Sequence, residues 1–309
     1  MSREPGPRSR AGALRASPGL VLGLFGVSWS AVLIRLATVE TPVAVLWRIL
    51  FSLVLVLPLA LREASRRALG SLPARAWGAL ALSGGCLAAH LLLWFAAVGK
   101  TSVASATVLV AVTPVFVALL SAVWLREPAT TREWGGIGLA VIGSAIVGWR
   151  DIGAGPGALR GDLLALLAAV AAALYFVLGR RLRRRLGLWS YVAPVYVVAA
   201  LISLAAARAS GSPLTGFRPA AWGWLAAMAA GPMLLGHTSF NWALEHVRAY
   251  VVSLVMLLEP VTATLLAVLV LGPGERPPPV AAAGAVAILG GVAVVLRSRT
   301  RSRSTEART

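Results

Sequence analysis

Residues 103–125 read VASATVLVAVTPVFVALLSAVWL, and residues 249–271 read AYVVSLVMLLEPVTATLLAVLVL. When Pro114 is aligned with Pro260, several valine and leucine residues that follow the prolines also coincide. Each segment is long enough to cross a bilayer, which takes about 20 apolar residues in a helix. Each also carries a proline, which breaks helices, near its middle. The repeated segment predicts two related halves around a shared site, an arrangement that many transporters have.

The composition indicates that most of the chain lies in a membrane. Of its 309 residues, 58% are hydrophobic and only 13% are charged, whereas soluble proteins average about 25% charged residues. The net charge of +18 does not indicate nucleic-acid binding, because the basic residues stand between or beyond the apolar runs. The tail RSRTRSRSTEART is better explained as a disordered cytoplasmic end attracted to anionic lipids. We expect a polytopic α-helical membrane protein, with the bilayer as a partner and no nucleic acid.

Ten apolar runs have roughly the length of a membrane-spanning helix, and we number these predicted spans one to ten. They cover residues 19–38, 43–61, 77–98, 103–125, 134–149, 161–179, 191–207, 221–243, 249–271 and 278–296. The connections are short, so consecutive spans are expected to be antiparallel neighbours. The predicted domains are a cytoplasmic N-terminal arm (1–18), a first five-helix repeat (19–149), an external linker (150–160), a second five-helix repeat (161–296) and a cytoplasmic basic tail (297–309).

The distribution of Lys and Arg predicts the orientation in the membrane. If the N-terminus is cytoplasmic, the inside segments carry 21 of these residues and the outside segments carry 6. Cytoplasmic loops of membrane proteins are enriched in basic residues. We therefore expect a multi-pass protein of the cell membrane with both termini in the cytoplasm. Because five is odd, the second half enters the membrane from the opposite side, and the halves are predicted to be inverted repeats.

Spans five and ten share a glycine pattern that supports the repeat. Gly136 and Gly143 in span five correspond to Gly284 and Gly291 in span ten. Small residues let membrane helices approach closely, either within one chain or between two copies of it. The sequence therefore leaves a homodimer open.

Four segments resemble the EamA type of the drug/metabolite transporter superfamily, and the similarity extends over about residues 19–148 and 161–296. The resemblance implies two EamA-type halves, ten helices, cytoplasmic termini and transport of small metabolites, often outward. The segments that carry it are WSAVLIRLA (29–37), WRILFSLVLVLPLAL (47–61), TPVFVALLSAVWLREP (113–128) and EPVTATLLAVLVLGPGE (259–275).

Glu259 is the sharpest candidate for a functional residue. An ionisable group in the middle of a span is costly, which makes it a functional candidate by default. The following residue, Pro260, lacks an N–H and frees a backbone carbonyl one turn earlier. A carboxylate there could bind a cation, hold a substrate amine or take up the proton that drives transport; the alternative is a structural hydrogen bond to a neighbouring helix. The corresponding Thr113, before Pro114, is uncharged, so charge-dependent binding would be asymmetric.

Further polar and aromatic side chains within the spans are candidates for the wall of a central cavity. His90 and His237 are two of them. These histidines either relay protons, since histidine titrates near neutral pH, or pack through hydrogen bonds. Aromatic and amide side chains could surround them or simply pack between helices. The predicted substrate pathway consists of Trp29, His90, Trp94, Thr113, Pro114, Tyr175, His237, Asn241, Glu259 and Pro260.

Other charged residues near span ends are interpreted as interfacial. Arg48 lies about one turn inside span two, from where its long side chain could extend to the outer interface; a functional role is the alternative. The neighbours Arg126 and Glu127, and likewise Glu245 and Arg248, are interpreted as interfacial ion pairs.

Several function classes lack their usual motifs. No Walker-type phosphate loop is present, and no His, Cys or carboxylate cluster has metal-ligand spacing, so we expect neither cofactor nor metal. The preferred hypothesis is a secondary transporter, not an enzyme, that exports small metabolites, amino acids or drug-like compounds by alternating access. The alternative is a membrane-embedded enzyme acting on a lipid or isoprenoid, which would need a cluster of polar catalytic groups facing one cavity.

Overall fold

The computed structural model describes residues 10–100, 109–148, 158–272 and 279–306, and within these ranges it is helical and contains no strand. Helices suit such apolar runs because every backbone hydrogen bond is made inside the segment, where lipid offers no partner. Parts of the predicted elements lie outside the described residues: residues 1–9 of the N-terminal arm, 103–108 of span four, 149 of span five, 150–157 of the linker, 273–278 of the second repeat with the first residue of span ten, and 307–309 of the tail.

Each half consists of a series of helices, some of them interrupted. The first half contains α1 (Arg10–Ser28), α2 (Ser30–Ala37), α3 (Thr41–Ala60), α4 (Glu63–Gly70), α5 (Ala74–Val98), α6 (Thr113–Leu120), a π-helical turn (Ser121–Leu125) and α7 (Thr131–Gly148). The second half contains α8 (Ala158–Arg183), α9 (Leu188–Ala209), α10 (Pro219–Met228), a π-helical segment (Ala229–Thr238), α11 (Ser239–Ala243), α12 (Ala249–Met256), α13 (Glu259–Leu271) and α14 (Val280–Glu306).

Six helical stretches of the described chain are long and apolar enough to cross a membrane, and two apolar helices are shorter. The prediction of an all-helical membrane protein is therefore confirmed, while the number of ten spans stays a prediction. The six stretches are Ala16–Ala37, Thr41–Ala60, Ala74–Val98, Leu159–Arg183, Leu188–Ala209 and Ala249–Leu271, and the shorter helices are Thr113–Leu125 and Ala282–Arg297.

The two halves interlock rather than stand side by side. Helix α1 packs most extensively against the π-helical segment of the second half, and α5 packs against α8. These two contacts are equivalent, because span one corresponds to span six and span three corresponds to span eight. Helix α3 likewise packs against α9, and α7 packs against α14. Every major contact therefore joins an element of one half to an element of the other.

The crossing of α7 and α14 depends on glycine. A Cβ atom added at Gly136 would lie 2.7 Å from the carbonyl oxygen of Gly291, and one added at Gly143 would lie 2.6 Å from that of Gly284. The backbones therefore touch directly, which is possible only without side chains at these positions. In the predicted repeat, Gly136 corresponds to Gly284 and Gly143 corresponds to Gly291. The two contacts are therefore equivalent. The glycine pattern thus serves packing within the chain.

We expect Gly143→Leu to destabilise the protein by about 1–3 kcal/mol, because the added side chain must push two backbones apart. The effect would appear as a lower midpoint of thermal unfolding in detergent. Gly138→Leu on the same helix is the matched control, since no atom lies within 4 Å of a Cβ added there. Equal losses in the two variants would contradict the assigned crossing.

Both predicted proline breaks are confirmed. Helix α6 begins at Thr113 and α13 begins at Glu259, so that Pro114 and Pro260 each occupy the second position of a helix. Proline is tolerated there because the first turn has no internal partner for its missing N–H. A third interruption, at Trp29 between α1 and α2, was not apparent from the apolar pattern.

Candidate functional site

A cavity lies where the three interrupted spans meet, between the two halves. Its free space amounts to about 570 Å³, part of it open to solvent, and about 40 Å³ can be occupied by the centres of water molecules. Because a water needs roughly 10–15 Å³ of the latter volume, this conformation has room for a few waters. The residues that line the cavity are Val27, Ser30, Arg48, His90, Leu91, Trp94, Val110, Ala111, Thr113, Pro114, His237, Ser253, Met256, Leu257, Glu259 and Pro260.

The structure brings most of the predicted pathway residues together. Seven of the ten line the cavity: His90, Trp94, Thr113, Pro114, His237, Glu259 and Pro260. The remaining three are not part of its wall. Trp29 occupies the interruption after α1, where its ring centroid lies 6.5 Å from that of Phe25. Tyr175 and Asn241 are fully buried, and the Nδ2 of Asn241 donates a hydrogen bond of 2.6 Å to the Tyr175 hydroxyl.

The predicted position of the Arg48 side chain at the outer membrane interface is wrong. Its side chain is 1% exposed and lines the cavity. Helix α3 begins at Thr41, so Arg48 lies seven residues, or about 10 Å, along the helix. Its Nη1 donates a long hydrogen bond of 3.4 Å to Ser30, and its guanidinium carbon lies 5.8 Å from the ring centroid of Phe95. Nε and Nη2 are buried without a hydrogen-bond partner.

Glu259 stands at the first position of α13, where the helix dipole favours a negative charge. Its carboxylate interacts electrostatically with Arg48. Within the part of the chain that the structure describes, no ion pair of 4 Å or less joins these two residues. One turn later, the hydroxyl of Thr262 lies 2.5 Å from that of Ser28. This hydrogen bond holds α13 against α1 beside the cavity.

The two histidines lie close to each other on the same wall. Their ring centroids are 6.1 Å apart. The Nδ1 of His90 lies 3.0 Å from the carbonyl oxygen of Ala168. Because a carbonyl only accepts, His90 Nδ1 must carry the proton, which leaves its Nε2 as the acceptor of a neutral ring. The Nδ1 of His237 is buried without a partner, and the His237 ring lies 6.2 Å from that of Tyr175.

A network of charged groups closes one end of the helix bundle, and we call this the basic end. It is formed where α8 ends, around Arg180 and Arg183. The Nη2 of Arg180 donates a hydrogen bond of 3.0 Å to the Glu127 carboxylate. Its Nη1 donates one of 2.7 Å to the carbonyl oxygen of Leu244. The Nη2 of Arg183 donates a hydrogen bond of 2.6 Å to the Glu245 carboxylate. The network therefore ties the end of span four to spans six and eight.

These contacts correct the predicted ion pairs, because Glu127 and Glu245 bind the arginines of α8 rather than their sequence neighbours. A second polar contact links the halves nearby. The hydroxyl of Tyr250 donates a hydrogen bond of 2.7 Å to one carboxylate oxygen of Glu133. The other oxygen of Glu133 accepts a hydrogen bond of 2.8 Å from the backbone N–H of Thr130. Sequence proximity was misleading here, since the helix ends of different spans meet only in the folded bundle.

The described parts of spans one and ten approach the basic end. A Cβ added at Gly19, in the middle of α1, would touch the ring of Trp242, while the side chain of Val295 in α14 lies beside Gly136.

The comparisons with known proteins agree with this architecture. The model of the EamA-like transporter family matches residues 18–149 and 159–297, one half each. The chain belongs to the EamA-like transporter family. No curated protein matches the sequence. Among solved structures, 29 chains match; one is described as "Crystal structure of protein", with a TM-score of 0.74 and 20% identity over 95% of this chain and 99% of that chain. That likeness shows a shared fold.

Membership of the EamA-like family makes the protein a membrane transporter with two repeated halves. Within its described residues, no group of three or more His, Cys, Asp or Glu side chains could hold a metal ion. The cavity wall includes Ser30 and Ser253, which sequence reasoning missed, and Arg48, for which an interfacial position was preferred to a functional role. An arginine within an apolar span is conspicuous, whereas a serine in an apolar helix gives no comparable signal.

Proposed function

We propose that this EamA-like protein is a secondary transporter that moves small metabolites across the cytoplasmic membrane by alternating access. The observation that carries this proposal is the central cavity between the two halves, lined by Arg48, Glu259 and two histidines. Ionisable groups inside a membrane are costly and typically mark a substrate or ion pathway. Interrupted helices around a site near the midplane are typical of secondary transporters. Suitable substrates are small metabolites, amino acids or drug-like compounds.

Export is the proposed direction, with the termini and the basic end in the cytoplasm. The excess of basic residues on that side supports this orientation. The outward direction rests on the EamA resemblance. In this orientation, the network around Arg180 closes the cytoplasmic access to the cavity.

Alternating access requires the halves to separate at the basic end. Arg180 and Glu127 belong to different halves, as do Tyr250 and Glu133. Their contacts must break when the cavity opens to the cytoplasm and form again when it closes. The proposed pathway runs along the seven predicted residues of the cavity wall, while Trp29, Tyr175 and Asn241 support that wall from behind. Glu259 is the proposed proton-coupling residue.

Filling the cavity should abolish transport. Ala111 lines the cavity, and we expect Ala111→Trp to occupy its free space and stop uptake of every substrate into proteoliposomes. A panel of labelled cations, anions, zwitterions and neutral metabolites identifies the substrates of the unaltered protein first. Ala122→Trp is the matched control, because Ala122 is exposed on the outer surface of the bundle. Undiminished transport by the Ala111 variant would overturn the central pathway.

The alternative hypothesis, a membrane enzyme acting on a lipid or isoprenoid, is not favoured by the family assignment. Among the described residues, the ionisable groups that line the cavity are one carboxylate, one guanidinium and two imidazoles, contributed by both halves. This distribution suits a binding site that both halves share.

A further inference from the structure

We infer that Arg48 is the substrate-binding residue of the cavity and that it binds a carboxylate, so that the substrates are small amphipathic carboxylates. This inference rests on the proposed transport function and adds a chemical class of substrate to it. Arg48 is buried at 1% exposure, lines the cavity and has two guanidinium nitrogens without partners. Buried polar atoms nearly always have hydrogen-bond partners, and those that lack them call for an explanation.

The environment of Arg48 holds the guanidinium in place without satisfying it. Phe95 lies under its plane at 5.8 Å from the guanidinium carbon, and Ser30 accepts a single long hydrogen bond. Glu259 lines the same cavity but does not occupy the free nitrogens. A buried cation left in this state is unfavourable until a ligand supplies acceptors.

A carboxylate fits the unoccupied donors better than other acceptors. The planar guanidinium presents N–H groups whose spacing matches the two oxygens of a carboxylate, and such bidentate pairs are among the strongest hydrogen bonds in proteins. Part of the cavity wall is apolar and includes Trp94, Met256 and Leu257. A carboxylate on Arg48 with an apolar body against these side chains would satisfy both parts of the cavity.

The test uses four compounds that differ only in two groups. L-Leucine has a carboxylate and an ammonium group, 4-methylpentanoate has the carboxylate alone, L-leucinamide has the ammonium group alone, and 4-methylpentanamide has neither. The corresponding phenylalanine series repeats the comparison with a larger apolar body. Binding to the purified full-length protein is measured by the increase in thermal stability with ligand concentration. Sulfate at matched ionic strength serves as the inorganic anion.

In at least one acid–amide pair of each series, we expect the carboxylate to bind about 30-fold or more tightly than its amide, since a buried charge pair is lost in the amide. Arg48→Gln should reduce this preference to near unity, and Arg48→Lys should leave an intermediate preference because lysine lacks the planar fork. The preference is a ratio within one variant, so a general loss of stability does not alter it. Arg208→Gln, at an exposed arginine, is the matched control and should keep the full preference.

The outcomes separate this inference from the proposed function. Equal binding of carboxylates and amides, a preference that survives in Arg48→Gln, or equal stabilisation by sulfate would each overturn carboxylate recognition by Arg48. If cations or neutral compounds are transported in the reconstitution panel and no carboxylate binds, the substrate class is wrong while the transport function stands. Comparison of L-leucine with 4-methylpentanoate, before and after Glu259→Gln, shows whether an ammonium group is recognised in addition.

Discussion

Glu259→Gln is expected to abolish proton-driven accumulation of substrate while the protein remains folded. Glutamine has nearly the shape of the protonated acid but cannot gain or lose the proton, so a coupled transport cycle cannot be completed. Glu259 is the single acidic side chain among the described residues that line the cavity. In proteoliposomes, the variant should still exchange substrate across the membrane without a pH gradient, but an imposed gradient should no longer drive accumulation.

The matched control for this variant is Glu63→Gln, on the exposed surface of α4, which should keep normal coupling. The other titratable groups that face the cavity are Arg48, His90 and His237. Full pH-gradient-driven accumulation by the Glu259 variant would exclude this carboxylate as the coupling group and direct attention to the histidine pair. Loss of both exchange and accumulation in a correctly folded variant would instead indicate that Glu259 binds substrate without coupling it to protons.

Arg180→Gln is expected to shift the protein strongly toward the state that is open at the basic end. The side chain is 11% exposed and donates to Glu127 as well as to the carbonyls of Leu244 and Glu245. Breaking a buried ion pair costs about 3 kcal/mol or more, which corresponds to roughly a hundredfold change in the ratio of closed to open states. Because these contacts exist in the closed state, their loss destabilises the closed state.

Cysteine accessibility measures this shift. Ser253 lines the cavity, and Ser253→Cys in a Cys86→Ala background places a single thiol there. A membrane-impermeant maleimide applied at the basic end should label it much faster when Arg180 is replaced. Arg184→Gln is the matched control: Arg184 is 48% exposed and lies 3.8 Å from the same Glu127 oxygen, and exposed pairs contribute little. Similar labelling rates for the two variants would contradict a closing role for Arg180.

The proline-centred repeat was the most reliable guide to the local structure. It correctly indicated where α6 and α13 begin, because proline limits its own backbone and removes a donor regardless of what surrounds it. The break at Trp29 carried no comparable signal. The π-helical segment Ala229–Thr238 does contain Pro232, but this proline has no counterpart in the repeated pair and was not singled out. These irregularities depend on how neighbouring helices pack, and the apolar pattern contains no information about that packing.

The candidate site was predicted in part. His90, His237 and Glu259 were apparent because a polar group within a long apolar run stands out whatever the fold. Arg48 was assigned to the interface because its distance along the chain from the span end was the sole guide. In the structure, Phe95 and Ser30 hold it inward beside the cavity. Asn241 and Tyr175 were expected in the cavity, but they are not part of its wall and hydrogen-bond to each other instead.

Hydrophobicity and the placement of charge, which are properties of single segments, were enough to identify a helical membrane protein, and the repeated proline segments indicated its two halves. They sufficed because a bilayer imposes the same requirements on every segment that crosses it. Pairing between segments needed the tertiary structure. Folding brings Arg180 to Glu127 and leaves two nitrogens of Arg48 unpartnered opposite Glu259. These contacts involve residues far apart in the chain. They depend on how the helices of the two halves pack, with close crossings at glycines and interruptions at prolines around one cavity.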